Sequence, residues 1–463
     1  MSLRSFIYSA GVLPYFDKKS YAGLHRSLAK GAELERRPLQ QNLDSQWQKT
    51  QSMLRHAYET VPFYRERFDS AGVRPADIRT ADDLQRIPVL TRDDIRNNFE
   101  RLVSSNYKRE DLLEAATGGT TDSPVPILRN RECIPLRNAI QTQFESWAGV
   151  NPGDKIFWLW GARIDFVENP SWRWRLYDQH LMRRLWNPTS LLNESVLADY
   201  AKRLDAFRPH AIIAYPTPLA VFSEYLLASN YKGHLPRTAI CTAEPLTPDQ
   251  REVIERAWHC KVFELYGARD FGMVGGECEQ HDGMHLNPFT IFAEILPLAE
   301  ADGVCEIIAT ELLNFGFPLI RYRINDCVYP RSPICACGRG FPLIGKIEGR
   351  ITDNFYLPNG DLVPGVSLTN RVIKTASGIK KMQVIQERLD RFVIRYVPDA
   401  AFTPTSIPEL TKKFHAFLGS GIEFEFTQVD EIPRERSGKT RLCISKVTPP
   451  ARNAPQPQPV EGR

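Results

Sequence analysis

Apolar positions recur at helical spacing from Leu43 to Phe68, at Trp47, Met53, Leu54, Ala57 and Tyr58, and predict a helix there. Val61-Pro62-Phe63-Tyr64 interrupts it, because the residue before a proline is pushed out of helical geometry. Ile87-Pro88-Val89-Leu90 followed by Thr91-Arg92-Asp93-Asp94 reads as a loop entering a capped helix. Further along, short apolar runs alternate with amphipathic stretches. Strands are expected over Lys155–Leu159, Ala211–Tyr215, Ala239–Thr242 and Lys261–Leu265, and helices over Arg131–Trp147, Leu219–Ala228 and Pro248–Trp258. That alternation predicts an α/β sheet, whose ligands sit in loops beyond the carboxyl ends of the strands. Three turns are expected there: Thr117–Ser123, Thr242–Pro245 and Tyr266–Asp270. Residues 1–45 give no clear element.

From Phe289 the pattern changes. Phe292-Ala-Glu-Ile-Leu-Pro, Cys305-Glu-Ile-Ile-Ala-Thr, Leu319-Ile-Arg-Tyr-Arg-Ile and Cys327-Val-Tyr predict a β-rich subdomain, with a boundary after Gly349-Arg350. Beyond it, strands at Met382–Gln386, Arg391–Tyr396 and Glu423–Gln428 mix with helices at Ser367–Ala376 and Ile407–Phe417. The expected organisation is a large domain over residues 1–350, a small α+β domain over 351–447, and a proline-rich, disordered tail over 448–463.

The length of 463 residues fits about two to four domains. Net charge is +4, from 59 basic and 55 acidic residues well mixed, which argues against a dedicated nucleic-acid binder. Nine scattered cysteines do not form a secreted disulfide framework and point to a reducing compartment. The apolar stretch Phe6–Phe16 is broken by Pro14 and is too short to span a bilayer. A cytoplasmic location without an integral membrane segment is therefore expected; a homodimer is left open.

Two clusters carry candidate chemistry. In Thr117-Gly118-Gly119-Thr120-Thr121-Asp122-Ser123-Pro124 two glycines free the backbone for close approach to a ligand. The threonines supply hydroxyl and N–H donors for phosphate oxygens, although the same residues also make ordinary turns. The second cluster is Cys278-x₆-His285 with Cys335-x-Cys337. If Asp282-Gly283 forms a two-residue hairpin, Gln280 lies opposite His285 and Cys278 opposite Asn287, so Cys278 and His285 share a face while His281 points away. Cys335 and Cys337 face one side at i, i+2 spacing. Joined, these four residues would make a closed tetrahedral zinc site; apart, they are separate buried or reactive cysteines.

The order of the turns points further. After the glycine loop come Ala243-Glu244-Pro245-Leu246, Tyr266-Gly267-Ala268-Arg269-Asp270-Phe271-Gly272, Arg321-Tyr322-Arg323-Ile324-Asn325-Asp326, Gly349-Arg350-Ile351-Thr352-Asp353 and Arg436-Ser437-Gly438-Lys439. This ordered set resembles the acyl-adenylate-forming ligases. Val61-Pro62-Phe63-Tyr64 and Leu319-Ile-Arg-Tyr-Arg make it most similar to their phenylacetate–CoA ligase branch, which includes capsule-biosynthesis relatives. The resemblance implies ATP- and Mg²⁺-dependent conversion of a small carboxylic acid to acyl-AMP with release of pyrophosphate. The acyl group then passes to a thiol such as coenzyme A, and a small C-terminal domain rotates between the steps.

By matching positions, Thr117, Gly118, Gly119, Thr120, Thr121 and Asp122 would hold phosphates. Ala243, Glu244, Pro245, Tyr266, Gly267 and Ala268 would frame adenine, Asp326 would bind the ribose hydroxyls, and Arg350 would sit nearby. Asp270 would ligate Mg²⁺, and Lys439 would bridge the attacking carboxylate and the α-phosphate. Some relatives also carry a Cys/His cluster like Cys278, His285, Cys335 and Cys337. Read by themselves, Asp326 is also a plain turn residue and Lys439 one more solvated charge.

Four positions depart from the family pattern. Asp122, Ser123 and Pro124 stand where glycine and lysine usually continue the loop, so a phosphate-facing cation is absent. Asp270 replaces a glutamate, Asn325 replaces a glycine, and Thr352-Asp353 stands at the hinge where a pair of acids is usual. An aryl or medium acyl acid is expected to lie among Trp160, Tyr215, Pro216 and Thr242, with Arg163 pairing either with a substrate acid or with Asp165. The alternatives to a coenzyme A ligase are an adenylating enzyme of surface-polysaccharide or natural-product biosynthesis, serving an amine, hydroxyl or carrier protein, and a non-catalytic nucleotide-binding relative.

Overall fold

The computed structural model describes residues 3–116, 125–160, 177–189, 192–298, 303–350, 355–359, 362–363, 368, 372–373, 375–432 and 442–447. They fall into two compact units, one of residues 3–298 and 303–350, the other of 355–432 and 442–447. Thr117–Pro124, Gly161, Arg163, Asp165, Ile351–Asp353, Arg436–Lys439, half of Ser367–Ala376 and the tail from 448 lie outside the described residues.

In the larger unit, Leu112–Ala116 (β1) and Pro126–Asn130 (β2) make an antiparallel hairpin. They are followed by Ile156–Trp160 (β3), Arg184–Pro188 (β4), Ala211–Ala214 (β5), Thr238–Thr242 (β6), Val262–Ala268 (β7), Gly272–Gly276 (β8) and Met284–Leu286 (β9). Next come Ile291–Pro297 (β10), Cys305–Glu311 (β11), Tyr322–Val328 (β12), Leu343–Ile344 (β13) and Ile347–Arg350 (β14). One eight-stranded sheet runs β13-β9-β8-β7-β6-β5-β3-β4, parallel from β4 to β7 and antiparallel beyond; a second, antiparallel sheet runs β10-β11-β12-β14.

Two turn expectations are corrected. The flanks of the glycine loop belong to the separate β1–β2 hairpin rather than to the large sheet. Tyr266–Ala268 is not a turn: β7 continues through it, because β8 folds back antiparallel and supplies a ladder partner, and the turn starts at Arg269.

The helix predicted from Leu43 starts earlier and spans Leu39–Thr60. Its first half buries Asn42, Gln46 and Thr50 in place of apolar residues. Asn42 donates to the Gly340 carbonyl at 2.7 Å, and Gln46 to the Ile291 carbonyl at 2.7 Å, so both amide nitrogens are satisfied on burial. After Val61 the chain re-enters helix at Pro62–Ser70, with proline at the first turn. Thr91 and Asp94 form the expected capping box. Leu90 then joins the second sheet, donating to the Arg321 carbonyl and accepting from Arg323 N–H.

The two branch-specific segments meet at one buried phenol. The Tyr64 hydroxyl donates to the Pro318 carbonyl at 3.0 Å and accepts from Ile320 N–H at 2.9 Å. In the next residue, the Arg321 guanidinium grips buried Glu294 through two nitrogens at 2.8–3.1 Å. Tyr64→Phe is expected to cost about 1–3 kcal/mol in urea unfolding, because it strands both backbone partners; an unchanged midpoint would show that these bonds contribute nothing net.

In the smaller unit, Phe355–Tyr356 (β15) pairs with Leu362–Val363 (β16). Ile379–Arg388 (β17), Arg391–Pro398 (β18), Glu423–Gln428 (β19) and Cys443–Ser445 (β20) form a sheet in the order β19-β18-β17-β20. The helix Ser406–Leu418 buries Leu410, Phe414 and Leu418 in a core with Val384, Phe392 and Ile394.

Candidate functional site

The carboxyl ends of β5, β6 and β7 bring together segments far apart in sequence. After β6, Ala243 takes φ 70° and turns the chain. Thr247 then opens the helix Pro248–Trp258 with a capping box to Gln250, so residues 243–246 are held at both ends. The Glu244 carboxylate accepts from the Thr217 hydroxyl at 2.8 Å, beside Pro216 at the start of the helix Pro216–Ala228.

The floor of this turn is Glu264 on β7, which sequence reading passed over as part of an apolar strand. Its carboxylate accepts from Leu246 N–H at 3.2 Å. Burial, and then the neighbouring Glu277 charge, push its pKa from the usual 4.5 to about 7. The folded state therefore holds this proton more tightly than the unfolded chain, so stability falls as pH rises from 4.5 through 7. Glu264→Gln is expected to remove that slope. In urea titrations over this range wild type should lose up to about 3 kcal/mol relative to the variant, and parallel profiles would refute the assignment.

At the end of β7 the Tyr266 hydroxyl donates to Asp326 Oδ2 at 2.6 Å, linking the large sheet to β12. Antiparallel register puts Arg350 of β14 directly opposite Asp326. Asn325 has φ 66°, which explains the departure from glycine, since asparagine is among the residues that tolerate the left-handed region. Asp270 is buried in the turn after β7, and its carbonyl accepts from Arg137 at 3.0 Å. Arg137 also pairs with buried Glu311, and Arg129 of β2 donates to the Arg269 carbonyl. Burial, then the Arg137 charge, lower the pKa of Arg129. Sequence reading missed Arg129, Arg137 and Glu311; they come from three separate elements with no motif to join them.

Trp160 and Tyr215 approach with ring centroids 4.5 Å apart, and Pro216, which opens the helix after β5, and Thr242, the last residue of β6, are buried. Trp158 lies between Trp160, at 5.3 Å, and Trp186, stacked at 4.7 Å. A cavity of about 260 Å³ opens on the same sheet face but toward the amino ends of β3 and β4, lined by Trp158, Trp186, Glu145 and Arg184. None of Trp160, Tyr215, Pro216 or Thr242 lines it.

The second cluster assembles. One ligand atom from each of Cys278, His285, Cys335 and Cys337 lies within 4.8 Å of all the others. Cys278 and Cys335 sulfurs are 3.7 Å apart, and Cys337 Sγ is 3.3 Å from His285 Nε2. A zinc tetrahedron would have edges of about 3.8 Å and about 3.5 Å, so the donor set fits such an ion. His285 Nδ1 lies 2.9 Å from the Phe341 carbonyl; donating there leaves Nε2 to face the thiols, the arrangement of a metal-ligating histidine.

The hairpin register predicted here is wrong. His285 pairs with Gly276 rather than Gln280. Residues 277–283 form a wider loop, because His281 N–H turns back onto the Cys278 carbonyl and His281 takes φ 49°. The four side chains still come together, since the loop turns Cys278 toward the other three and directs His281 to Glu277.

A family model described as the CapK C-terminal domain matches residues 355–446. The chain is 24% identical over 388 residues to protein CapK of Staphylococcus aureus, covering 83% of this chain and 85% of that one. It is 27% identical over 341 residues to the phenylacetate–coenzyme A ligase of Escherichia coli K12, covering 71% and 75%. In fold it is similar to 2-hydroxyisobutyryl-CoA ligase in the postadenylation state with an acyl-AMP, with a TM-score of 0.66 at 19% identity over 90% of this chain and 92% of that one. An open form of that ligase with 2-HIB-AMP and CoA gives 0.60 at 20% identity, over 89% and 93%. With six ordered motifs and likeness along most of its length, the chain is similar to the AMP-forming acyl-adenylate ligases, and within them to the branch of the phenylacetate–CoA ligases and CapK.

Proposed function

We infer that the protein activates a small carboxylic acid with Mg·ATP, releases pyrophosphate, and transfers the acyl group from acyl-AMP to coenzyme A. The observation that carries this reading is the 2.6 Å bond from Tyr266 to Asp326, with Arg350 opposite in the ladder. Three motifs that the family devotes to one nucleotide thereby converge from positions 60 and 24 residues apart. Tyr266 fixes one Asp326 oxygen and orients the carboxylate to accept from a vicinal diol. Ala243–Pro245 and Tyr266–Ala268 then frame the adenine.

Asp270 is assigned to Mg²⁺, and Thr117–Asp122 and Lys439, outside the described residues, to the phosphates and the reacting carboxylate. Arg129, five residues after the glycine loop, is a cation in a position to offset the lysine the loop lacks. The aromatic character of Trp160 and Tyr215 favours an aryl or medium acyl acid. Zinc held by Cys278, His285, Cys335 and Cys337 has four protein ligands and no open position, hence a structural role.

The test is pyrophosphate release from Mg·ATP across a panel of aryl and medium-chain acids, followed by coenzyme A, amine and sugar acceptors with the acid that responds. Acid-dependent release and a thioester product are expected. ATP binding with no release for any acid would overturn the reading in favour of a non-catalytic relative.

A further inference from the structure

The amino-terminal segment has its amphipathic pattern turned inside out. Residues Leu3–Phe16 run as continuous helical turns, α then π then α, to a break at Asp17, a rod of about 21 Å. Ser5, Ser9 and Leu13 recur every four residues and face the protein, at 3%, 0% and 9% exposure. The large apolar side chains face outward: Leu3 is 77% exposed, Phe6 48%, Ile7 51%, Tyr15 82% and Phe16 52%. Of nine large hydrophobic side chains exposed among the described residues, five lie here. A helix docked on a core does the reverse, burying its apolar stripe and exposing its polar residues.

The partners on this face are few and aromatic. Phe6 meets the edge of His25, Tyr15 that of Phe16, and Phe16 that of Tyr177. Around them the charge is mostly basic: residues 3–30 carry Arg4, Lys18, Lys19, Arg26 and Lys30 against Asp17 alone, and Lys30 pairs with Glu33 just beyond at 2.8 Å. Arg4, Lys18, Lys19, Arg26 and Lys30 are exposed. Asp17 is turned inward on the chain, capping Ser20 N–H at 3.0 Å.

We propose that residues 3–30 form an interfacial anchor that lays Leu3, Phe6, Ile7, Tyr15 and Phe16 into the headgroup boundary of an anionic membrane. The basic residues flanking them would meet the lipid phosphates. Aromatic and aliphatic side chains on one face with a rim of Lys and Arg are the combination that binds such an interface. The segment is too short to span a bilayer, and among the described residues no helix is long and apolar enough to do so. Binding is therefore peripheral and reversible, and it does not depend on the reading of the nucleotide site.

The experiment is co-sedimentation of the full chain with vesicles of phosphatidylcholine alone, or of phosphatidylcholine with about 30% phosphatidylglycerol, at low and high salt. Binding to the anionic vesicles, weakened by salt and at least tenfold above the neutral ones, is expected. Phe6→Ser with Phe16→Ser should lower partition at least tenfold while leaving the thermal midpoint unchanged. Lys18→Glu with Lys19→Glu should remove the preference for anionic lipid. Failure of the wild-type chain to bind either vesicle overturns the proposal. So does a wild-type dimer by light scattering that Phe6→Ser with Phe16→Ser makes monomeric while vesicle binding is unaffected, for then the face joins two copies of the chain.

Discussion

Cys335→Ser is expected to lower the thermal midpoint of the purified protein by about 10 °C or more, with loss of close to one equivalent of zinc. The size follows from where the cluster sits. Cys278 follows β8, His285 is on β9, and Cys335 and Cys337 lie between β12 and β13, so one ion would tie the edge of the large sheet to a loop 50 residues away. Burial pushes the Cys278 thiol up to about 12, so without a cation it stays protonated, with its sulfur 3.7 Å from that of Cys335. With zinc, the thiols ionise and their protons are released. Metal loss below neutral pH is therefore expected as well, since protons then compete for the ligands. His281→Ala is the matched control: it leaves the zinc content at wild type because its ring faces Glu277. Zinc below roughly half an equivalent in wild type, together with an unshifted Cys335→Ser melt, would remove the metal from the account.

The same cluster shows how far the sequence could be read. Residue types and spacing pointed to four side chains that the fold does bring together, because a metal site would constrain side-chain chemistry more tightly than backbone path. The register did not follow, since Asp282-Gly283 is a strong hairpin signal that tertiary contacts overrode. Gly275 marks the reason: a Cβ there would come within 2.6 Å of the His285 carbonyl, so β8 and β9 are set by close backbone approach. The parallel strands β3, β5, β6 and β7 were legible because each is a short apolar run bounded by turn residues, whereas the parallel strand β4, Arg-Leu-Trp-Asn-Pro, has no such run and was missed. Residues 3–35 are mostly helical yet gave no element, because their apolar residues do not mark the buried face. Arg129, Arg137 and Glu311 were illegible for a different reason: single charges gain meaning only once the fold brings them together.

Lys439→Ala is expected to slow acid-dependent pyrophosphate release about 10²–10³-fold, the usual loss when one preorganised donor to a developing charge is removed. The attack of a carboxylate on the α-phosphorus brings two anions together and spreads further charge over phosphate oxygens. Little covalent help is needed, so the outcome depends on cations and donors in place. This chain has fewer of them than the pattern of the ligases it resembles supplies, because Ser123 stands where a lysine would follow the glycine loop. Dependence on Lys439 should be correspondingly strong. A lysine that acts only as the acid attacks leaves ATP affinity within about threefold of wild type, and the loss falls on kcat. It also spares the second step, so transfer from presynthesised acyl-AMP to coenzyme A should proceed at the wild-type rate. That split separates a chemical role from a structural one: a folding defect would slow both half-reactions together. Full adenylation by Lys439→Ala would mean that Lys439 is one more solvated charge, and the search for the missing cation would move to Arg129 on β2.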